Sequence, residues 1–283
     1  MPDYLPVWPL AFLQQRAPVT LVVAPYGSNS NAGTLQAPLL TVSAAVSAAL
    51  PGDTILVRNG TYAEAVTIST PFITLKGYPG DPRPLIQAPI DDSTVCCALR
   101  LTGGGNFGGA AELVVSGINF AGGYYYALMF DQHGGGSSSP YWTYYKAQSG
   151  LNTSSTTVVQ DCELHDSGSS VVKLSAGVPD VLFERVEVHH SGLRSAGNGF
   201  DVRYANRLVI RDSYIHDITG TAILLGGGSM DCLVERNVIV NVIDIGVLLG
   251  SYNTEAMYMN IGENPGQSAS QATLPCMPLI YSV

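Results

Sequence analysis

Charge is scarce in this chain, and what there is leans acidic. Charged side chains make up 12% of the 283 residues, with 22 acidic and 13 basic side chains and a formal net charge of −9. Nucleic-acid binding needs a basic face, so we expect no nucleic-acid partner. The same charge argues against simple attraction of an acidic polysaccharide, unless a bound cation or a local basic cluster reverses the field.

Targeting signals are also missing from the sequence. No apolar run is long enough to span a membrane, so we expect no membrane association. The first residues lack the pattern of a signal peptide, because Asp3 lies where positive charge belongs and Pro6 and Pro9 interrupt any apolar core. The residues themselves therefore leave the compartment open.

Cysteines are few and lack a pattern. The 5 cysteines are scattered along the chain, without a CxxC or another zinc-type spacing. An odd, dispersed count is more typical of buried free thiols than of a disulfide framework. We therefore expect free thiols.

A repeated phrase is present in the second half of the chain. Each copy has apolar residues, a charged or amide residue, and then an apolar–polar alternation ending in His or Asn. If Asp161, Arg185, Asp212 and Asn237 are equivalent, the copies recur 24, 27 and 25 residues apart. A period in the twenties predicts a solenoid, in which each unit buries its apolar side on its neighbours.

A second strand follows in each repeat. Its alignment places Lys173, Asp201, Leu224 and Leu249 at one stacked position. Because successive coils of stacked strands lie about 4.8 Å apart, equivalent side chains should form ladders along the stack.

The pattern predicts one domain. We expect an all-β solenoid over residues 20–266, after an extension at residues 1–19. The tail at residues 267–283 has no repeat, and it is either an irregular cap or the mark of missing coils.

Two segments depart from the strand pattern. Apolar residues at helical spacing predict a short capping helix at about residues 41–50, with Thr41 as its N-cap and Pro51-Gly52 as its stop. Tyrosines and a Gly-Ser run interrupt the repeat at about residues 121–156, which predicts a long aromatic loop.

Several motifs in the first half resemble the start of right-handed parallel β-helix proteins of the pectate-lyase-like superfamily. They are Ala24-Pro25-Tyr26-Gly27-Ser28, Gly33-Thr34, Pro51-Gly52-Asp53-Thr54-Ile55, Gly60-Thr61-Tyr62 and Ile73-Thr74-Leu75-Lys76-Gly77-Tyr78. The resemblance implies a right-handed parallel β-helix, a polysaccharide partner and an extracellular or cell-wall role. It specifies the fold better than the activity, because one fold hosts many functions. We expect a monomer.

Lyases of that superfamily often place a Lys on one coil and an Arg on the next, and Lys173 and Arg203 look like such a pair. Lys173 would then be the catalytic base and Arg203 the partner of the substrate carboxylate or of the transition state, with Asp201 in the same groove. The alternative is structural, with Lys173 stacking beside Asp201 in a solvated ladder.

Histidines recur at the end of the repeated phrase. His165, His189 and His216 share one position and could bind a metal, but a structural ladder with Asn241 in the next place is the favoured interpretation. His190 and Arg194 lie outside this ladder, in a long turn. We expect these two residues and His189 to contact a ligand.

The aromatic loop offers a second binding surface. Tyr124, Tyr141 and Trp142 could form a wall for sugar rings, or the loop could fold down over a sheet face. The resemblance leaves Ca²⁺ as the candidate cofactor, but no calcium loop motif is present and the metal ligands stay unassigned.

These observations favour a polysaccharide lyase that acts by β-elimination on an acidic, uronic acid polysaccharide. Two alternatives stay open. One is a non-catalytic carbohydrate-binding or surface protein that uses the aromatic loop, and the other is a truncated relative without activity.

Overall fold

Three parallel sheets form the protein. The computed structural model describes residues 16–102, 113–131, 157–175, 180–203, 205, 207–226, 229 and 231–249. Sheet A contains β1 (Thr20–Val23), β2 (Thr54–Val57), β5 (Thr74–Gly77), β8 (Val114–Ser116), β11 (Thr157–Gln160), β14 (Val181–Glu184), β17 (Val209–Arg211) and β20 (Leu233–Glu235). Sheet B contains β3 (Thr61–Tyr62), β6 (Leu85–Ala88), β9 (Asn119–Gly122), β12 (Glu163–His165), β15 (Glu187–His189), β18 (Tyr214–Ile218) and β21 (Val238–Val242). Sheet C contains β4 (Val66–Ile68), β7 (Cys97–Thr102), β10 (Tyr126–Asp131), β13 (Val172–Leu174), β16 (Phe200–Arg203), β19 (Ile223–Gly226) and β22 (Val247–Leu249).

The chain winds through sheets A, B and C in turn and then begins the next coil. Every strand pair is parallel, so each strand lies beside its equivalent in the coils before and after it. This is a right-handed parallel β-helix, and the predicted fold class is confirmed. The repeated phrase contains two strands, one in sheet A and one in sheet B.

Alternating side chains fill the interior. In β11 and β14, for example, every second residue is buried. Phe183 lies between two other aromatic rings, with centroids 6.0 Å from Phe130 and 5.0 Å from Phe200. The apolar positions of the repeat therefore build one continuous core along the stack.

A residue with a left-handed backbone joins sheet A to sheet B in each regular coil. These residues are Asp161, Arg185, Asp212 and Arg236, with φ between 50° and 60°. The equivalence that we predicted for Asn237 is therefore wrong by one residue, because Leu233 and not Val234 pairs with Val209.

Two further alignments shift by one residue for the same reason. Val240, not Asn241, follows His216 in the ladder, while Asn241 has the left-handed backbone that His190 also adopts. In sheet C, Leu248 and not Leu249 lies beside Leu224. Sequence similarity at the fourth copy is too weak to fix the register without the pairing itself.

Helix α1 (Val42–Ala48) lies at the start of the stack, as predicted. The Thr41 side chain accepts a hydrogen bond from the Ala44 amide, and Val42, Ala45 and Val46 are buried. Within the described residues no helix combines the length and hydrophobicity that membrane crossing requires.

The aromatic segment enters the fold further than we predicted. Residues 121 and 122 complete β9 and residues 126–131 form β10, so the first part of this segment is regular coil and not loop. Its remainder, including Tyr141 and Trp142, lies outside the described residues, as does the tail at residues 267–283. Near the start, Arg16 and Val19 contact Asp53, so the predicted extension joins the fold at these residues.

Candidate functional site

The outer face of sheet C carries a group of charged side chains, which we call the charge cluster: Arg100, Asp131, Lys173, Asp201 and Arg203. Parallel pairing of β13 with β16 places Lys173 opposite Asp201. The Lys173 Nζ donates to Asp201 Oδ2 at 2.6 Å, and the Arg203 Nε donates to Asp201 Oδ1 at 3.0 Å. One carboxylate therefore binds both predicted catalytic cations.

A second ion pair continues the cluster toward the start of the stack. Arg100 on β7 donates from Nε to Asp131 Oδ2 at 2.9 Å. The side chains of Lys173 and Asp201 are 16% and 14% exposed and that of Arg203 is 34% exposed, so a ligand can reach all three from outside. Charge–charge contacts at such depth are screened less than fully exposed pairs.

Tyr126 and two cysteines lie beside the charge cluster. Burial raises the pKa of Tyr126 to about 12, and the negative charge of Asp201 acts in the same direction. The Cys96 and Cys97 sulfurs are 2.7 Å apart, and their hydrogen bond lowers the pKa of Cys96 and raises that of Cys97. The four cysteines in the described residues are free thiols, although only two of them are fully buried.

The outer face of sheet B carries a histidine ladder, formed by His165, His189 and His216. Neighbouring rings are nearly parallel, at 7° and 12°, with centroids 4.9 and 4.8 Å apart. This spacing is that of the paired strands beneath them.

Each step of the ladder also carries a glutamate from the preceding coil. Glu163 Oε1 lies 3.0 Å from His189 Nε2, and Glu187 Oε1 lies 3.1 Å from His216 Nε2. Burial lowers the pKa of His189, and the neighbouring histidines lower it further, while Glu163 opposes the shift.

The remaining ring nitrogens contact the residues with left-handed backbones. His165 Nδ1 lies 2.8 Å from Asp166, and His216 Nδ1 lies 2.7 Å from Asp217. His190 takes the equivalent place beside His189, with its Nδ1 within hydrogen-bonding distance. His190 therefore begins the long turn that we predicted, and its left-handed backbone also places it in a regular column next to the ladder.

Arg194 and Tyr124 meet at the turn between sheets B and C. The Arg194 guanidinium lies 4.1 Å from the centroid of the Tyr124 ring, and its Nη2 lies 3.2 Å from the tyrosine hydroxyl. Its Nη1 donates to Asp91 at 3.0 Å. Gly168 packs against the Tyr124 backbone beside this pair, where a Cβ would lie 2.0 Å from the Tyr124 carbonyl oxygen.

A groove of about 720 Å³ adjoins this turn. Its lining includes Gln87, Ile90, Asp166 and Leu193. Asp166 also contacts the histidine ladder, and Leu193 is the neighbour of Arg194 along the chain. The groove therefore links the ladder to the turn, with both polar and apolar surface.

The predicted site residues thus form three groups. Lys173, Asp201 and Arg203 come together on sheet C, His189 and His190 on sheet B, and Tyr124 and Arg194 at the turn between them. Sequence reasoning missed the Arg100–Asp131 pair, and it missed the contacts of Glu163 and Glu187 with the histidine ladder. Only the alignment of successive coils could have indicated that Arg100 lies near Lys173, because Arg100, Met129 and Lys173 share one column of sheet C.

Comparison with known proteins supports the fold. A family model described as a right-handed beta helix region matches residues 150–270. No curated protein matches the sequence. The chain is similar in structure to a complex of XylC with xylose, with a TM-score of 0.59 and 12% identity over 82% of this chain and 64% of that one.

Two polysaccharide lyases are also similar in structure. Pectate lyase Pel9A has a TM-score of 0.52 and 14% identity over 79% of this chain and 63% of its own. A rhamnogalacturonan lyase has a TM-score of 0.52 and 12% identity over 85% of this chain and 64% of its own. The chain spans slightly less than two thirds of each of the three structures, and at these identities the likeness concerns the fold.

Proposed function

We propose that this right-handed parallel β-helix protein is carbohydrate-active and acts on an acidic polysaccharide by β-elimination at the charge cluster. The observation that carries the proposal is the shared contact of Lys173 and Arg203 with Asp201, which holds two cations from neighbouring coils at one accessible place. Arg100 extends the positive side chains along the same face. Such a row suits a polymer that carries a carboxylate on each sugar.

The reaction needs a base and a group that stabilises negative charge. The base removes the proton from the carbon next to the uronate carboxylate, and the bond from the neighbouring carbon to the glycosidic oxygen breaks. A carbon–carbon double bond forms, and the leaving oxygen takes up a proton. Negative charge grows on the carboxylate in the transition state, where a fixed cation lowers the barrier.

In this proposal Lys173 is the base and Arg203 binds the substrate carboxylate. Lys173 Nζ donates to Asp201 before substrate binds, so its role as a base requires that contact to open and the ammonium to lose one proton to solvent. A uronate that binds Arg203 competes with Asp201 for the guanidinium, because both are carboxylates. Substrate binding would in this way loosen the resting ion pairs.

Calcium does not fit the groups of potential ligands found among the described residues. Both groups contain two histidines and one glutamate, whereas Ca²⁺ prefers six to eight oxygen ligands. We therefore assign no step of the reaction to Ca²⁺.

A second function is favoured by the same contacts. Lys173 and Arg203 are both hydrogen-bonded to Asp201, as expected for a structural ladder. The turn between sheets B and C offers Tyr124, Arg194 and Leu193 beside a groove. These features suit a carbohydrate-binding protein without catalysis, in which an aromatic ring packs on a sugar.

One assay separates the two functions. The full chain is incubated with polygalacturonate and with alginate, each with added Ca²⁺ and with a chelator, and the absorbance of the unsaturated product is followed. Binding to the same polymers is measured in parallel by affinity electrophoresis. Product formation supports the lyase, whereas binding without product in every condition overturns it and supports the binding protein.

Substitutions then test the assigned residues. If a polymer is cleaved, Lys173→Ala should lower kcat by about 100-fold or more, the usual contribution of a positioned base. Lys76→Ala is the matched control, because Lys76 is exposed and lies on sheet A. Equal activity of Lys173→Ala and the unmodified chain would exclude Lys173 as the base.

A further inference from the structure

Three imidazoles and two carboxylates on sheet B form two overlapping sets of potential metal ligands. Glu163, His165 and His189 form one set, and Glu187, His189 and His216 form the other. In each set the potential ligand atoms all lie within 4.8 Å of one another. We propose that the histidine ladder binds one divalent transition-metal ion of the zinc type, through His189 and one flanking histidine–glutamate pair.

The donor set defines the kind of ion. Two imidazole nitrogens and one carboxylate oxygen suit Zn²⁺ and related first-row ions, whereas Mg²⁺ and Ca²⁺ prefer oxygen. Three protein ligands leave one tetrahedral position for water or another small ligand.

The hydrogen-bond inventory supports a cation at this place. His216 has a carboxylate at each ring nitrogen, Asp217 at Nδ1 and Glu187 at Nε2. A neutral imidazole carries one N–H, so it can donate to only one of these two acceptors. When the proton is on Nδ1, Nδ1–H donates to Asp217, and an ion between Nε2 and Glu187 accepts lone pairs from both of them.

His189 also has a partner at each ring nitrogen, although only one of the two partners is a carboxylate. Its Nδ1 contacts His190 and its Nε2 faces Glu163. When Nδ1–H donates to His190, the Nε2 lone pair points at a carboxylate, and a metal ion removes that conflict.

Outer groups orient the ligands. Asp166 and Asp217 hold the Nδ1 atoms of His165 and His216, respectively. This is the carboxylate–histidine–metal arrangement that fixes the ring and directs Nε2 toward the ion. The two aspartates recur because both occupy the same left-handed position of the coil.

The shared histidine limits the stoichiometry. His189 has a single Nε2, so only one of the two sets can hold an ion at a time. Bond lengths of about 2.0–2.2 Å require the ligand atoms to move together by about 1 Å. Glu163 and Glu187 have room for that movement, since their side chains are 28% and 42% exposed.

Metal titration of the full chain tests the proposal. After treatment with a chelator and dialysis, Zn²⁺ binding is measured by calorimetry and Co²⁺ binding by visible absorption. We expect one ion per chain and a Co²⁺ spectrum without thiolate charge-transfer bands. His189→Gln should abolish binding, and thermal melting checks that this variant folds.

The flanking variants provide the sharper test. His165→Gln and His216→Gln should each retain one ion, because one complete set remains, whereas the double variant should bind none. Asp217→Asn in the His165→Gln background should weaken binding by about 10–100-fold. Glu235→Gln, on sheet A, is the control that should bind like the unmodified chain.

Three results would overturn the site: no uptake of either metal by the unmodified chain, unchanged binding by folded His189→Gln, or thiolate bands that disappear in Cys96→Ser/Cys97→Ser. The proposal is independent of the polysaccharide reaction, because the ladder lies on sheet B and the charge cluster on sheet C.

Discussion

At the residue scale, single carboxylates bind several partners at once. Asp201 joins Lys173 to Arg203 on the outside, while Asp53 is fully buried near α1 and accepts hydrogen bonds from Arg16 and from the amides of Val19 and Leu50. A buried carboxylate needs such partners, because an uncompensated charge in the interior is costly.

Asp53 should make stability depend on acid. Its hydrogen bond from Arg16 lowers its pKa from 3.8 to about 2, and the backbone amides act in the same direction. Because the folded-state pKa is depressed, the stabilisation is present above about pH 4 and is lost as pH falls toward 2. Asp53→Asn should therefore lower the free energy of unfolding by about 2 kcal/mol at neutral pH and by much less near pH 2.5.

Urea denaturation of Asp53→Asn and the unmodified chain at both pH values measures this difference. Asp231→Asn, at an exposed turn, is the control and should change little at either pH. An equal loss for Asp53→Asn at both pH values would show that the charge of Asp53 does not stabilise the fold.

The sequence predicted part of the charge cluster. Lys173 and Asp201 occupy equivalent places in two clearly similar coils, so their contact could be predicted from the alignment alone. The contact of Arg100 with Asp131 could not be predicted, because their two coils lack the repeated phrase. The contacts of the glutamates with the histidine ladder were also missed, since they join different positions of successive coils.

Turns between sheets A and B set the shape of the coil at the scale of single elements. Arg185 occupies one of these turns with φ of 51°, and its guanidinium donates to Asp161 at 2.8 Å. A left-handed backbone at a non-glycine residue lowers the free energy of unfolding by about 1 kcal/mol or more. The exposed ion pair of Arg185 raises it by at most about 1 kcal/mol.

Substitutions at Arg185 should follow the backbone and not the charge. Arg185→Gly loses the ion pair but relieves the backbone strain, so the free energy of unfolding should change by less than about 1 kcal/mol. Arg185→Val loses the pair and places a β-branched side chain at positive φ, so we expect a loss of about 2 kcal/mol.

Gln160 supplies the matched control, because it lies one turn earlier in the extended backbone of β11. There the order should reverse, with Val tolerated and Gly destabilising. Urea denaturation of the four variants gives the order directly. The same order at both positions would contradict a left-handed requirement at Arg185.

These turns also explain which alignments failed. The first three copies each present an apolar pair, a polar residue and a left-handed residue, and their register was predicted correctly. In the fourth copy both Leu233 and Val234 are apolar, so either could begin the phrase. Backbone pairing with Val209 resolves the choice in favour of Leu233.

The whole molecule is a stack in which each described coil pairs only with its neighbours. Three sheets share one core, so outer faces are free to carry different chemistry: charged pairs on sheet C and histidines with glutamates on sheet B. The fold alone therefore specifies neither site. Stability should likewise be a sum of coil and interface terms along one dimension.

Removing a core ring should reveal this one-dimensional behaviour. Phe183 is fully buried in β14 and lies beside Phe130, two coils earlier, and Phe200 of its own coil. Phe183→Ala should cost about 3–5 kcal/mol at that level of the stack. Hydrogen exchange followed by mass spectrometry should show the largest loss of protection in β14 and its partners β11 and β17, with much smaller changes in β1 and β2.

Leu182→Ala, on the same strand with its side chain partly exposed, should change protection less. If β1 and β2 lost as much protection as β11 and β17, the coils would unfold as one cooperative unit, and the nearest-neighbour description would be wrong.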